Sequence, residues 1–259
     1  MKGRSQSSSI PTKHSRLAER SPRKRERKWT CPKVLLELAR LANPDVRAKM
    51  AYFGVHVLEM HGISTPVLHK LAREIGKNHQ LAKQLWLSGV HEAKILAAII
   101  GEPHKVTASE MDRWAQAFDS WDVVDATCCY LYAHTKFAWK KARAWSKRPE
   151  LYIRRAGFSL AAYLSYKDKH APDTEFATFL EAIECASGDD RDFVKKAVNW
   201  ALRNIGKRNR KLNRHAIRVA ENLRKRDSRT ARWIAADALR ELRSDAVQRR
   251  LKRKSAEMQ

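Results

Sequence analysis

From residue 32 onward the chain reads as a succession of short amphipathic segments, apolar at every third or fourth position and separated by breaks that carry capping or stopping residues. Pro32 opens the first segment, which ends near Asn43, and Pro44 opens a second that runs toward Met60 and stops at Gly62. Thr65-Pro66 reads as an N-cap followed by proline at the first helical position. The helix it starts turns Val67, Leu68, Leu71 and Ile75 inward and stops at Gly76. Further segments of helical period lie at 78–88, 90–100, 107–118, 120–134, 137–147, 150–167, 173–186, 190–205, 209–225, 229–242 and 244–253, with no strand pattern between them. These elements predict an all-α protein. Because one pair of short helices cannot bury both apolar faces, the pairs are expected to stack into a curved α-solenoid.

No literal motif recurs at a fixed period, so the array is expected to be irregular and HEAT-like rather than a strict tetratricopeptide or ankyrin repeat. Composition agrees: glycine (9) and proline (8) are scarce in 259 residues, and the 43% hydrophobic content excludes disorder throughout. Charge adds a partner. Against 28 acidic residues stand 53 Lys and Arg, a formal charge of +25 that repels itself unless a polyanion is near. Nucleic acid is the obvious polyanion. A membrane is disfavoured, because no apolar run approaches the roughly 20 residues needed to span one. The first residues also lack an apolar signal core. We therefore expect a monomer inside the cell, cytoplasmic and associated with DNA. Cys31, Cys128, Cys129 and Cys185 have neither CxxC pairing nor histidines at zinc spacing, so reduced, partly buried thiols are expected, with no metal and no cofactor.

Residues 1–30 are polar and arginine-rich, with Ser7, Ser8 and Ser9 in a row and Arg23, Lys24, Arg25, Arg27 and Lys28 close behind. They read as a disordered basic arm, whether a solvated tail, an aid to DNA affinity or a targeting signal, ahead of one domain over 31–259.

Three segments carry residues out of place on their helices. Asp125 interrupts the apolar run Val123-Val124-Asp125-Ala126 and shares a helix face with Trp121. A carboxylate there must be paired, with Arg154 or Arg155 as the available countercharge, and it is either a structural ion pair or a reacting group. Trp200 projects roughly 120° from the stripe Val194, Val198, Ala201 and Ile205, beside Phe193 and Lys196. It either packs on a neighbouring repeat or walls a nucleotide. From Asn209 on, Leu212, Ala216, Val219 and Leu223 form an apolar stripe while Lys211, Arg214, Arg218 and Lys225 line the opposite side, just after Lys207 and Arg208. An all-positive stripe favours phosphate contacts over a merely solvated face.

The segments DSWDVVD (119–125), YIRRAGF (152–158), FVKKAVNWALRNIGKRN (193–209) and SRTARWIAADALREL (228–242) resemble the DNA alkylation repair enzymes, glycosylases built from HEAT-like repeats. GISTPVLHKLAREIGK (62–77) and GVHEAKILAAIIG (89–101) fit the same family, so the resemblance runs from about Pro32 to the C-terminus. It implies a solenoid whose basic concave face binds double-stranded DNA carrying alkylated bases. It also implies that Asp125 is the catalytic aspartate, Trp121 and Trp200 are flanking tryptophans, and Arg155 is an arginine near the lesion. Lys196, Lys207, Arg208, Lys211, Arg214 and Arg218 are our own candidates for DNA contacts. The expected activity is base-excision hydrolysis of the N-glycosidic bond of 3-methyladenine and 7-methylguanine. A catalytically silent relative that binds damaged or branched DNA, and a protein-interaction scaffold, are the competing readings.

Overall fold

The computed structural model describes residues 29–256, so the expected N-terminal arm, apart from its last two residues, lies outside the described residues. Among them are fourteen α-helices: α1 (Cys31–Arg40), α2 (Pro44–Tyr52), α3 (Thr65–Ile75), α4 (His79–Leu87), α5 (His91–Ile100), α6 (Ala108–Gln116), α7 (Trp121–Tyr130), α8 (Ala138–Trp145), α9 (Leu151–Lys167), α10 (Asp173–Ala186), α11 (Asp192–Gly206), α12 (Arg210–Arg224), α13 (Arg229–Leu242) and α14 (Asp245–Ala256). Side-chain caps start several of them. The amide oxygens of Asn43, Asn78 and Asn209 and the hydroxyls of Thr107 and Ser228 each accept a backbone N–H from the first turn that follows. Each such cap stabilises its helix by about 1 kcal/mol.

The helices form HEAT-like repeats in two layers. In one layer α3, α5, α7, α9, α11 and α13 pack side by side in chain order. Behind it α4 packs on α5, α8 on α9, α10 on α11, and α12 on α11 and α13. The expected stripes are the buried ones: Val194, Val198, Ala201 and Ile205 of α11 and Leu212, Ala216, Val219 and Leu223 of α12 all face the core. The layers meet closely where Gly157 of α9 crosses the end of α8; a Cβ at that position would lie 2.3 Å from the Ser146 amide nitrogen.

Polar pairs between residues about one repeat apart tie several neighbouring elements of the first layer together. The Glu92 carboxylate accepts the backbone N–H groups of His61, Gly62 and Ile63. His91 pairs with Asp122, Arg155 with Asp125, Asn199 with Asp237, and Arg203 with Glu241. The His91 ring is fully buried, with Nε2 2.9 Å from Asp122 Oδ2. Burial opposes charge on both groups, yet the bond between them prevails, raising the His91 pKa and lowering that of Asp122. A pKa raised on folding supplies stability below the unfolded value and loses it as pH rises through the folded one; a lowered pKa behaves in the opposite sense. This pair therefore contributes most between about pH 4 and 6.5, the ordinary values of the two groups. The denaturant midpoint is expected to fall as pH is raised above about 6.5, and to fall distinctly less in His91→Gln. An identical decline in both proteins would remove this pair from the account.

Four expectations change. The second helix stops at Tyr52 rather than near Met60, because Gly54 adopts φ +83° and the chain continues extended, burying Val55 and Met60 singly. Helix α3 starts at Thr65 with Ser64 as its N-cap residue, which puts Pro66 one position further in, and Val67 is exposed. The segment 120–134 is not continuous: α7 ends at Tyr130 and a 3₁₀ turn over Tyr132–His134 follows. All four cysteines are free thiols, but Cys185 is exposed rather than partly buried.

Candidate active site

Asp125 sits in the second turn of α7 and reaches toward α9. Its Oδ2 accepts Arg155 Nη2 at 2.7 Å, and its Oδ1 accepts Arg155 Nε at 3.2 Å and Ser159 Oγ at 2.8 Å. A carboxylate has about four acceptor positions, so these three bonds leave one open, on Oδ2. The side chain keeps 17% of its surface exposed while that of Arg155 keeps 7%, so the aspartate is the more accessible partner. Between the two sequence alternatives for the countercharge the geometry is unambiguous: Arg155 holds Asp125, whereas Arg154 pairs with Asp189 at 3.3 Å.

Arg155 is the hub of the site. Its Nη1 donates to the Phe193 carbonyl of α11 at 2.7 Å, and its guanidinium lies 5.7 Å from the Trp121 ring. Trp121 is fixed from the other side, its indole N–H donating to the Phe53 carbonyl at 3.1 Å. Gly54, just after, packs against the Phe193 ring, where a Cβ would lie 3.1 Å from Cζ. The segment after α2 thus closes one edge of the site and leaves the Tyr52 and Phe53 rings exposed beside it.

Trp200 does not touch Asp125 directly. It meets Tyr163 edge to face at 4.9 Å between ring centroids. Burial raises the Tyr163 pKa, and the nearby charge of Asp125 raises it further. Tyr163 and Trp200 thus form an aromatic pair whose tyrosine feels the Asp125 charge. Tyr166 continues the row 5.9 Å from Tyr163, and burial pushes its hydroxyl up to about 12. Tyr152 stacks on Phe193 at the other end. Burial also pushes the Cys128 thiol well above its ordinary pKa, so this neighbour of Asp125 stays protonated and inert.

All of this faces the open side of the first layer. Gly157 marks the side of α9 that meets α8, and Arg155 and Ser159 stand two residues away on either flank, roughly 200° around the helix. Tyr152, Arg155, Ser159, Tyr163 and Tyr166 recur at helical spacing along the side of α9 turned away from α8, where Arg155 and Ser159 are buried and Tyr166 is exposed. Ser159, Tyr163 and Tyr166 were not among the sequence candidates, although this spacing was there to be read.

The basic candidates divide. Lys196 is half-exposed on the Trp200 side, 3.6 Å from Asp192. Lys207 is held by Glu241 at 2.6 Å. Arg208 directs its Nη hydrogens to the carbonyls of Ser165, Asp168, Lys169 and Ala171 and stacks on Phe176 at 4.3 Å. It closes the C-terminal end of α9 and has little left for a phosphate. Lys211, Arg214 and Arg218 are exposed on α12, in the other layer from Asp125.

Comparison with known proteins places these features in context. The sequence model described as DNA alkylation repair enzyme matches residues 34–248. A solved structure, from "a new family of proteins related to the HEAT-like repeat DNA glycosylases with affinity for branched DNA structures", superposes with a TM-score of 0.70 at 21% identity, covering 83% of this chain and 96% of that one. At that identity the likeness carries the fold. No curated protein matches the chain.

Proposed function

The chain belongs to the DNA alkylation repair enzyme family, and from that premise we propose that it is a DNA glycosylase, hydrolysing the N-glycosidic bond of cationic alkylated purines in double-stranded DNA. The observation that carries this reading is the Asp125 carboxylate, oriented by Arg155, itself beside the Trp121 ring, and by Ser159, with one acceptor position left unused. Purines alkylated at N3 or N7, such as 3-methyladenine and 7-methylguanine, already carry positive charge, so they leave without prior protonation. The bond's electron pair moves to the base, which departs neutral, and positive charge builds on the deoxyribose. An anion held in place stabilises that charge without reorganising. Water hydrogen-bonded to the open position of Asp125 Oδ2 attacks C1′ and passes its proton to the carboxylate or to solvent.

The aromatic faces assist. Trp121 presents its face to cations, as its contact with Arg155 illustrates, and Trp200 with Tyr163 extends an electron-rich wall along the same side. Lys196 stands beside that wall as a contact for a phosphate.

A second reading has its own support. Paired residues one repeat apart recur along this layer, so Asp125–Arg155 also fits a purely structural tie, and the protein would then bind damaged or branched DNA without cutting it. Incubating the protein with methylated duplex DNA and chromatographing the products separates the two. Free 3-methyladenine or 7-methylguanine supports the glycosylase. DNA retention with no released base identifies a silent binder, and failure to retain DNA would return the scaffold reading.

A further inference from the structure

Among the described residues, one continuous stripe of unpaired positive charge lies on the opposite side of the molecule from Asp125. On the open face of the first layer most cations are already matched: Arg155 by Asp125, Arg154 by Asp189, Lys195 and Lys196 by Asp192, Arg203 and Lys207 by Glu241. On α12 the situation is reversed. Lys211, Arg214 and Arg218, with Lys225 just past the helix end, are exposed, and among the described residues none of the four has an ion-pair partner. The nearby Glu221 is engaged by Arg243, just past the end of α13.

The direction of this stripe follows from helical geometry. The buried side chains of α12, Leu212, Asn213, Ala216, Val219, Ala220 and Leu223, point at α11 and α13. At about 100° per residue, Lys211, Arg214, Arg218 and Lys225 fall within a sector roughly 60° wide centred opposite them. The stripe therefore faces away from the first layer, while the Asp125 site faces away from the second. Two stacked helix layers, roughly 20 Å of protein, separate the two surfaces.

Four cations along roughly 21 Å of helix sit at spacings comparable to the Debye length of about 8 Å, so solvent ions do not fully relieve their repulsion. A polyanion does. A duplex lying on the Asp125 face cannot reach this surface through the protein. We propose that the outer face of α12 holds a second segment of duplex DNA while the first lies against the Asp125 face. This rests on the reading that DNA occupies the Asp125 face, but not on that DNA being cut.

Mass photometry of the protein with two duplexes of different length tests it. The expected species is one chain carrying both duplexes. In the variant Lys211→Gln, Arg214→Gln, Arg218→Gln, Lys225→Gln, whose surface substitutions keep the buried stripe, that species should fall at least tenfold while one-duplex complexes persist. Capture of the second duplex should weaken with salt at a log-log slope near −3.6 if all four contact phosphates, at about 0.9 per contact. Complexes limited to one duplex, complexes containing two copies of the chain, or undiminished capture by the variant would each overturn the proposal. Base release by the wild type, measured in parallel, reports separately on the glycosylase reading: its absence beside intact two-duplex capture defeats only that reading.

Discussion

Asp125→Asn is expected to slow release of 7-methylguanine by between about twentyfold and a thousandfold while DNA affinity changes by no more than a few fold. The range comes from Arg155. A lone carboxylate about 4 Å from the developing cation, at an effective dielectric of about 20, stabilises it by about 4.2 kcal/mol, or roughly a thousandfold in rate. The Arg155 guanidinium, bound to the same carboxylate and so about 7 Å from that cation, opposes it by about 2.4 kcal/mol. If the unpaired guanidinium turns away from the site in the variant, the loss is the difference, about 1.8 kcal/mol or roughly twentyfold. If it stays, its repulsion is common to both proteins and the full effect of the carboxylate is lost. The amide also leaves a buried arginine without its counterion, which destabilises the fold. Melting and DNA binding must therefore accompany the rate. Ser159→Ala removes one donor without changing charge, and should hold the fold and slow release by less than about tenfold. Unchanged release by a folded Asp125→Asn protein would leave the ion pair as a structural tie alone.

The second large effect is on stability. Gly157→Ala should lower it by about 3 kcal/mol, against the roughly 1 kcal/mol gain that alanine ordinarily brings to a helix interior. The added Cβ would lie 2.3 Å from the Ser146 nitrogen, 2.7 Å from its Cα and 2.8 Å from the Trp145 carbonyl carbon. All three are backbone atoms at the end of α8, which cannot swing aside as a side chain would. The two helices must separate, and Ala156, Leu160 and Ala161, all fully buried, lose contacts together. For a domain of this size the melting temperature should drop by roughly 6–12 °C. A melting temperature at or above that of the wild type would mean that the layers are not pressed together there.

Much of this architecture is local and so could be read along the chain. Apolar stripes such as Val194, Val198, Ala201 and Ile205 require only that one side of a helix be dry. Asp125 stood out because an acid inside Val123-Val124-Asp125-Ala126 demands a partner, and Trp200 because it departs from its own stripe. What could not be read depends on neighbours. Which layer α12 joins is decided by its packing on α11 and α13, so its charged side was legible but not the face of the molecule it would occupy. The fate of Arg208 depends on carbonyls at the end of α9, some 40 residues earlier, that become available only when the two elements meet. The end of α2 was missed because Val55, Val57 and Met60 could continue a helical pattern, and nothing short of the positive φ at Gly54 forbids it.

A stacked array normally frays from its ends, since each unit holds only its neighbours. Here the turn after α2 reaches past them, its Phe53 carbonyl on Trp121 of α7 and its Gly54 on Phe193 of α11. The leading end is thereby buckled to the middle, and a molecule that loosens at α2 also releases the indole beside Asp125. Exchange of the Trp121 indole hydrogen should accordingly keep pace with that of the α2 amides rather than with the slower amides of α9.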